Sequence, residues 1–218
     1  MKEKTLRIQN REVHYKIAGE GPAIFILHGW GRGSDSWAEV QEKLAEAGYK
    51  VIVPDLPGFG KTSPPETIWG VKEYADFAME FIKKLGADTF FLLGHSFGGQ
   101  VAVKFAASYP EKLEKLILCA PAAIRKEPGL KEVFITYVAK MGNFVLFFIP
   151  IEGLRQFARN VFARIIGRSD YLQAPGIMRK VMQKVIREDL STFFLKSARI
   201  RSSFGERKTA RFLLRMRM

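Results

Sequence analysis

Hydrophobic and polar positions along the first 122 residues switch repeatedly between two periods. Short apolar runs at Ala23–Leu27 (AIFIL), Tyr49–Pro54 (YKVIVP), Thr89–Leu93 and Leu113–Cys119 (LEKLILC) read as buried strands. Between them lie stretches with one apolar face at helical spacing. These are Ser34–Ala47, with Trp37, Val40, Leu44 and Ala47 on that face, then Val71–Leu85 and Phe97–Ser108. Ahead of all these, Thr5–Gln9 and Glu12–Ala18 flank Asn10-Arg11 in the pattern of a hairpin. Strands alternating with helices predict an α/β fold, a mostly parallel sheet with crossover helices.

The rhythm changes after residue 122. Residues 123–187 hold no convincing strand but several helical, basic and aromatic stretches, and predict a helical cap inserted over a core of residues 1–122. Residues 188–218 are left as a return segment and a tail. Within the cap, Val133–Ile151 is apolar enough to raise the alternative of a membrane span. Lys140, Gly142 and Pro150 argue instead for helices lining an apolar pocket. Arg155, Arg159, Arg164 and Arg168 read as a solvated helix face, with attraction to an anionic surface as the alternative.

Composition adds a core and removes a partner. Hydrophobic residues make up 47% of the 218, enough for a substantial interior. The net charge of +13 would suggest nucleic acid if it were evenly spread. It is not: residues 1–122 carry 15 Lys+Arg against 15 Asp+Glu, 123–187 carry 12 against 4, and 196–218 carry 8 against 1. The excess lies outside the segment that carries the motifs, so no nucleic-acid partner is expected. Cys119 is the only cysteine, and the charged start has no apolar leader; both suit a cytoplasmic protein. No His/Cys/Asp cluster has metal-ligand spacing, and neither metal nor diffusible cofactor is expected.

The chemistry is concentrated in Leu92-Leu93-Gly94-His95-Ser96-Phe97-Gly98-Gly99, which ends a strand and opens a helix. Its core is G-x-S-x-G, a turn so tight that the serine backbone is strained, with Gly94 and Gly98 letting strand and helix pass closely. The first turn of the helix aims unpaired N–H groups at the serine. A second element, His28-Gly29-Trp30-Gly31, ends the strand Ala23–Leu27. With PDLPGFGKT (54–62) between them, these pieces make residues 1–122 resemble the α/β-hydrolase superfamily in order and spacing. The resemblance implies Ser96 as nucleophile, an oxyanion hole from the backbone N–H groups of Trp30 and Phe97, and an acyl-enzyme formed from a small, largely apolar acyl substrate. Members that open epoxides or remove halides place an aspartate where Ser96 stands, so those chemistries are not expected. His28, Gly29, Gly94, His95 and Gly98 support the motifs. In the resemblance neither His28, His95 nor His14 occupies the place of the general base, and Asp55 reads as a turn residue rather than a triad acid.

Neither triad acid nor triad histidine is found, since no histidine follows His95. The tail suggests why. With one permitted choice of codons, the alternative reading frame across Arg201–Met218 spells a strand and turn containing W-G-E-K-D, the family's acid-bearing pattern. The tail from about Lys196 is therefore expected to be a frameshift product, and the chain as it stands poorly soluble and catalytically inert. Sequencing of the coding DNA checks this directly. Two classes of function remain open: an acyl hydrolase, and a non-catalytic scaffold of the same fold that binds a ligand or partner.

Overall fold

The apolar strands of the first half are separated by segments long enough to return the chain to the starting edge, which lets neighbours among them pair in parallel. The computed structural model describes residues 1–122 and 176–193. Its strands are β1 (Lys2–Ile8), β2 (Arg11–Ala18), β3 (Ala23–Leu27), β4 (Lys50–Pro54), β5 (Phe90–His95) and β6 (Leu113–Cys119). They form one sheet in the order β1-β2-β4-β3-β5-β6. β1 and β2 make an antiparallel hairpin, and β2 joins β4 antiparallel. The pairs β3–β4, β3–β5 and β5–β6 are parallel.

The described helices are α1 (Ala38–Glu46), α2 (Val71–Lys84), α3 (Phe97–Ser108) and α4 (Ile177–Arg187). One face of the sheet buries Tyr15, Phe25, Ile52 and Leu92 in a cluster with residues of α2, α3 and α4. Phe81 of α2 meets Tyr15 and Phe25 edge-on at 5.4 and 6.3 Å. The other face buries Ile24, Ile26, Val51, Val53 and Leu93, with Trp37 and Leu44 packed against them.

Segment 34–47 differs from its expected form. It begins as a 3-10 turn, Ser34–Trp37, and only then becomes α1. Val40, assigned to the apolar face, is exposed, while Gln41 is fully buried. The reason is a hydrogen bond: Gln41 Nε2 donates to the Val51 carbonyl at 2.9 Å, joining helix to sheet through a polar group. β5 also runs two residues beyond the expected Leu93, because Gly94 and His95 continue the ladder opposite Leu118 and Cys119.

α4 is the described end of the segment assigned to a cap. Its Met178, Val181, Met182 and Val185 are buried. The cap stretch Val133–Ile151, the four arginines 155, 159, 164 and 168, and the tail from Lys196 lie outside the described residues. Among the described residues no helix is long and apolar enough to cross a membrane, and no group of His, Cys, Asp and Glu could hold a metal ion.

The strand order turns the chain to opposite sides after β3, toward β4 first and β5 later. The crevice beyond the carboxyl ends of β3 and β5 is thus a topological switch point, the place where open α/β sheets bind ligands.

Candidate active site

Ser96 stands between β5 and α3 at φ 51°, ψ −113°, a conformation that L-residues rarely adopt. Its backbone is held at three points. The amide donates to the Cys119 carbonyl at 3.1 Å, and its carbonyl accepts from Gln100 at 3.2 Å and Ala122 at 3.1 Å. The end of β6 and the first turn of α3 together impose the bend.

Glycines make the bend possible. A Cβ on Gly94 would lie 2.5 Å from the Gly98 carbonyl oxygen and 2.7 Å from Ala102 Cβ. A Cβ on Gly98 would strike the carbonyls of Leu27 and His28, so α3 passes directly over the end of β3. Gly29 sits against the elbow itself: a Cβ there would be 3.0 Å from His95 Nδ1 and 3.5 Å from Ser96 Cβ. The two motifs, 66 positions apart between Trp30 and Ser96 in the chain, are neighbours in space.

The amides of Trp30 and Phe97 donate to no acceptor among the described residues. Phe97 is the first residue of α3, where an N–H has no partner within the helix. Around them lies an aromatic group. The Trp30 ring meets Phe59 edge-on at 4.8 Å and Phe97 at 5.3 Å, and Tyr74 meets Phe97 from below at 5.0 Å.

His28 is structural. It is fully buried, its Nε2 accepts from the Leu56 amide at 2.9 Å, and its Nδ1 lies 2.9 Å from the Gly29 carbonyl. Accepting at Nε2 leaves the proton on Nδ1, which donates to Gly29. Burial holds its pKa below the ordinary value, against the opposing pull of the Gly29 carbonyl and the Asp55 carboxylate. Both nitrogens are engaged and the ring is neutral. His95 packs near Trp37 at 6.1 Å and makes no hydrogen bond with Ser96 among the described residues. His14 lies in β2, its amide donating to Thr62 Oγ1.

Asp55 serves the loop. Its buried carboxylate accepts from the amides of Ser34 at 2.5 Å and Lys61 at 2.9 Å, drawing the segments after β3 and β4 together. An open depression of about 560 Å³ lies beside this junction, lined by Gly31, Arg32, Asp35, Ser36, Phe59 and glycines 33, 58 and 60; it does not include Ser96.

Sequence reasoning missed Phe59, Tyr74 and Met178. Phe59 could have been found inside PDLPGFGKT, an apolar side chain between Gly58 and Gly60. Tyr74 donates its hydroxyl to the Pro57 carbonyl at 2.9 Å, and burial pushes its phenol well above the usual value. Met178 touches this loop from 120 residues away and has no local signal.

The chain is similar to known proteins over much of its length. An uncharacterized protein of Mycobacterium tuberculosis is 33% identical over 167 residues, covering 74% of this chain and 48% of the relative. The 2-hydroxy-6-oxo-6-phenylhexa-2,4-dienoate hydrolase of Comamonas testosteroni is 37% identical over 117 residues, 51% of this chain and 41% of the enzyme. The chain spans about half the length of these curated relatives. Among solved structures, the epoxide hydrolase CorEH shares the fold at a TM-score of 0.63 and 24% identity, over 88% of this chain and 76% of that one. The thioesterase domain of the curacin biosynthetic pathway matches at 0.54 and 27%, over 64% of this chain and 54% of that one. The profile of the alpha/beta hydrolase fold matches residues 22–159, which takes in both halves of the elbow and the loop between them. By that match and by the strand order that carries the elbow, the chain belongs to the alpha/beta hydrolase fold family.

Proposed function

We propose that Ser96 is the nucleophile of a hydrolase acting on an ester or a related acyl group. The observation that carries this reading is a serine held at φ 51° at a strand-to-helix bend, beside two amides without partners among the described residues. Ser96 Oγ attacks the carbonyl carbon, and its proton leaves to a base as the tetrahedral oxygen takes the negative charge. The N–H groups of Trp30 and Phe97 hold that oxygen, as fixed donors aimed at the charge that develops. Collapse of the intermediate expels the protonated leaving group and leaves an acyl-enzyme, which water cleaves to the acid and free Ser96.

The curated hydrolase relatives extend the acyl class. Their named substrates carry a 6-oxo group, so the same attack at a ketone carbon, with carbon as the leaving atom, belongs to this proposal. Apolar surroundings at Trp30, Phe59 and Phe97 suit a largely apolar acyl group.

Among the described residues none of the three histidines bonds to the Ser96 hydroxyl: both ring nitrogens of His28 are engaged elsewhere, and neither His14 nor His95 makes a bond to the serine. Without a base bonded to the serine, acylation supported by the two amides is slow. A fluorophosphonate probe tests the reading on the purified chain. Labelling at Ser96, absent in Ser96→Ala and lost on denaturation, is the expected result. Equal labelling of the wild type and Ser96→Ala would leave the non-catalytic scaffold as the better account.

A further inference from the structure

We propose that Met178 of α4 is a positioning residue for the elbow, setting the loop that carries Phe59 and through it the amide of Trp30. This rests on the reading of Ser96 as nucleophile and of Trp30 as one of its oxyanion donors. α4 is amphipathic, and its Met178, Val181 and Val185 join the main core beside α2. Met178 has a particular seat. Gly58 lies at φ +91°, and the space a Cβ would take there is filled by the Sδ and Cε atoms of Met178. Any side chain at 58 would displace the thioether, and any retreat of the thioether would leave a void under the loop.

The loop has little other freedom. Leu56 donates to His28, Pro57 accepts from Tyr74, the Gly58 amide donates to the Ser63 carbonyl at 3.1 Å, and the Asp55 carboxylate ties Ser34 to Lys61. One residue beyond Gly58, the Phe59 ring lies 4.8 Å from Trp30, 5.5 Å from His28 and 6.0 Å from Phe97. Displacement at 58 therefore reaches the two residues whose amides flank Ser96. At its other end α4 is fixed independently: Lys184 Nζ lies 3.3 Å from Glu73 Oε1 and from the Ile68 carbonyl oxygen, and Glu188 accepts from the Val71 amide at 3.0 Å. A helix held at one end presses a flexible thioether on the loop at the other. Methionine suits this, being unbranched and able to fill an irregular gap.

The experiment uses the 218-residue chain labelled with 5-fluorotryptophan. The fluorine resonance of Trp30 is assigned with Trp30→Phe, and the rate of fluorophosphonate labelling at Ser96 is measured in parallel. Met178→Ala is expected to move the Trp30 resonance while that of Trp37, on the opposite face of the sheet, stays in place. Labelling should slow by about tenfold, the scale of a sub-ångström misplacement of reacting groups. Met178→Leu should restore both. Val185→Ala removes a side chain equally buried in the same helix; it should lower stability and leave both readouts unchanged. Should Met178→Ala not fold, Met178→Val carries the same expectation at smaller amplitude. An unmoved Trp30 resonance in the folded variant, or an equal movement in Val185→Ala, overturns the proposal. If the wild type is not labelled at Ser96, the nucleophile reading fails, while the fluorine shift still decides whether Met178 positions Trp30.

Discussion

Replacing Ser96 by glycine should stabilise the protein relative to replacing it by alanine, against the usual order. A non-glycine residue in such a sparsely populated backbone region costs about 1–3 kcal/mol. Alanine keeps the Cβ and the strain; it removes only a hydroxyl that makes no capping bond to α3. Glycine releases the strain but loses more backbone freedom on folding, a penalty of about 0.5–1 kcal/mol. The difference leaves Ser96→Gly ahead by about 1 kcal/mol. At an unstrained helix position alanine would lead by a similar margin. Urea unfolding of both variants, followed by circular dichroism with a shared slope, reads the sign from the midpoints. Thermal midpoints should differ in the same direction by about 2–4 °C, the shift that 1 kcal/mol gives a domain of this size. Neither variant can be acylated, so stability is separated from chemistry. A lower midpoint for Ser96→Gly would mean that residue 96 is not strained, and the elbow would lose its physical basis.

Three further outcomes follow from the same geometry. Gly98→Ala should destabilise by about 3 kcal/mol or more and abolish labelling at Ser96, because its Cβ meets the carbonyls of Leu27 and His28 and helix and strand must separate, as a thermal melt and probe labelling would show. His28 has a folded pKa below its unfolded value of about 6.5, so the unfolded state binds the proton first. Its stabilisation is complete above about pH 6.5 and is lost as pH falls toward the folded pKa, at up to about 1.4 kcal/mol per pH unit. Urea titrations between pH 5 and 7.5 should show that slope in the wild type and its reduction in His28→Gln. Added imidazole, a diffusible base, should accelerate cleavage of an activated ester at Ser96 by more than its effect on Ser96→Ala, as followed by release of a chromogenic alcohol; equal acceleration of the two would refute the missing-base account.

The parts of the fold that were legible in the sequence are those decided by short-range burial. Ala23–Leu27 and Leu113–Cys119 fall where the apolar runs begin and end, since turn residues bound them, and Phe97–Ser108 starts where the elbow forces it to start. The motifs of Ser96 and Trp30 were legible for a related reason, as glycines at fixed offsets mark close approach. Illegible features depend on partners far along the chain. Gln41 reads as a surface residue until its bond to Val51 is seen, and its Oε1 has no partner among the described residues. Phe59 and Met178 read as ordinary apolar positions, because only the packing of α4 on the loop of Gly58 brings them to the site. Asp55 was legible as a turn residue, though not the two amides it gathers.

The strain at residue 96 has its physical origin in the backbone around it. Three backbone hydrogen bonds fix Ser96, to Cys119, Gln100 and Ala122, each worth about 1 kcal/mol net. Together they match or exceed the 1–3 kcal/mol that the conformation costs, and the glycine contacts at 29, 94 and 98 add shape to that hold. The surroundings, and not the side chain, therefore impose the bend. The backbone likeness to an epoxide hydrolase at 24% identity shows the fold and says nothing of the bond that is cleaved. The side chain at the bend decides that. On the proposed reading, a hydroxyl there beside the Trp30 and Phe97 amides selects acyl chemistry, which is why that reading turns on labelling at one serine.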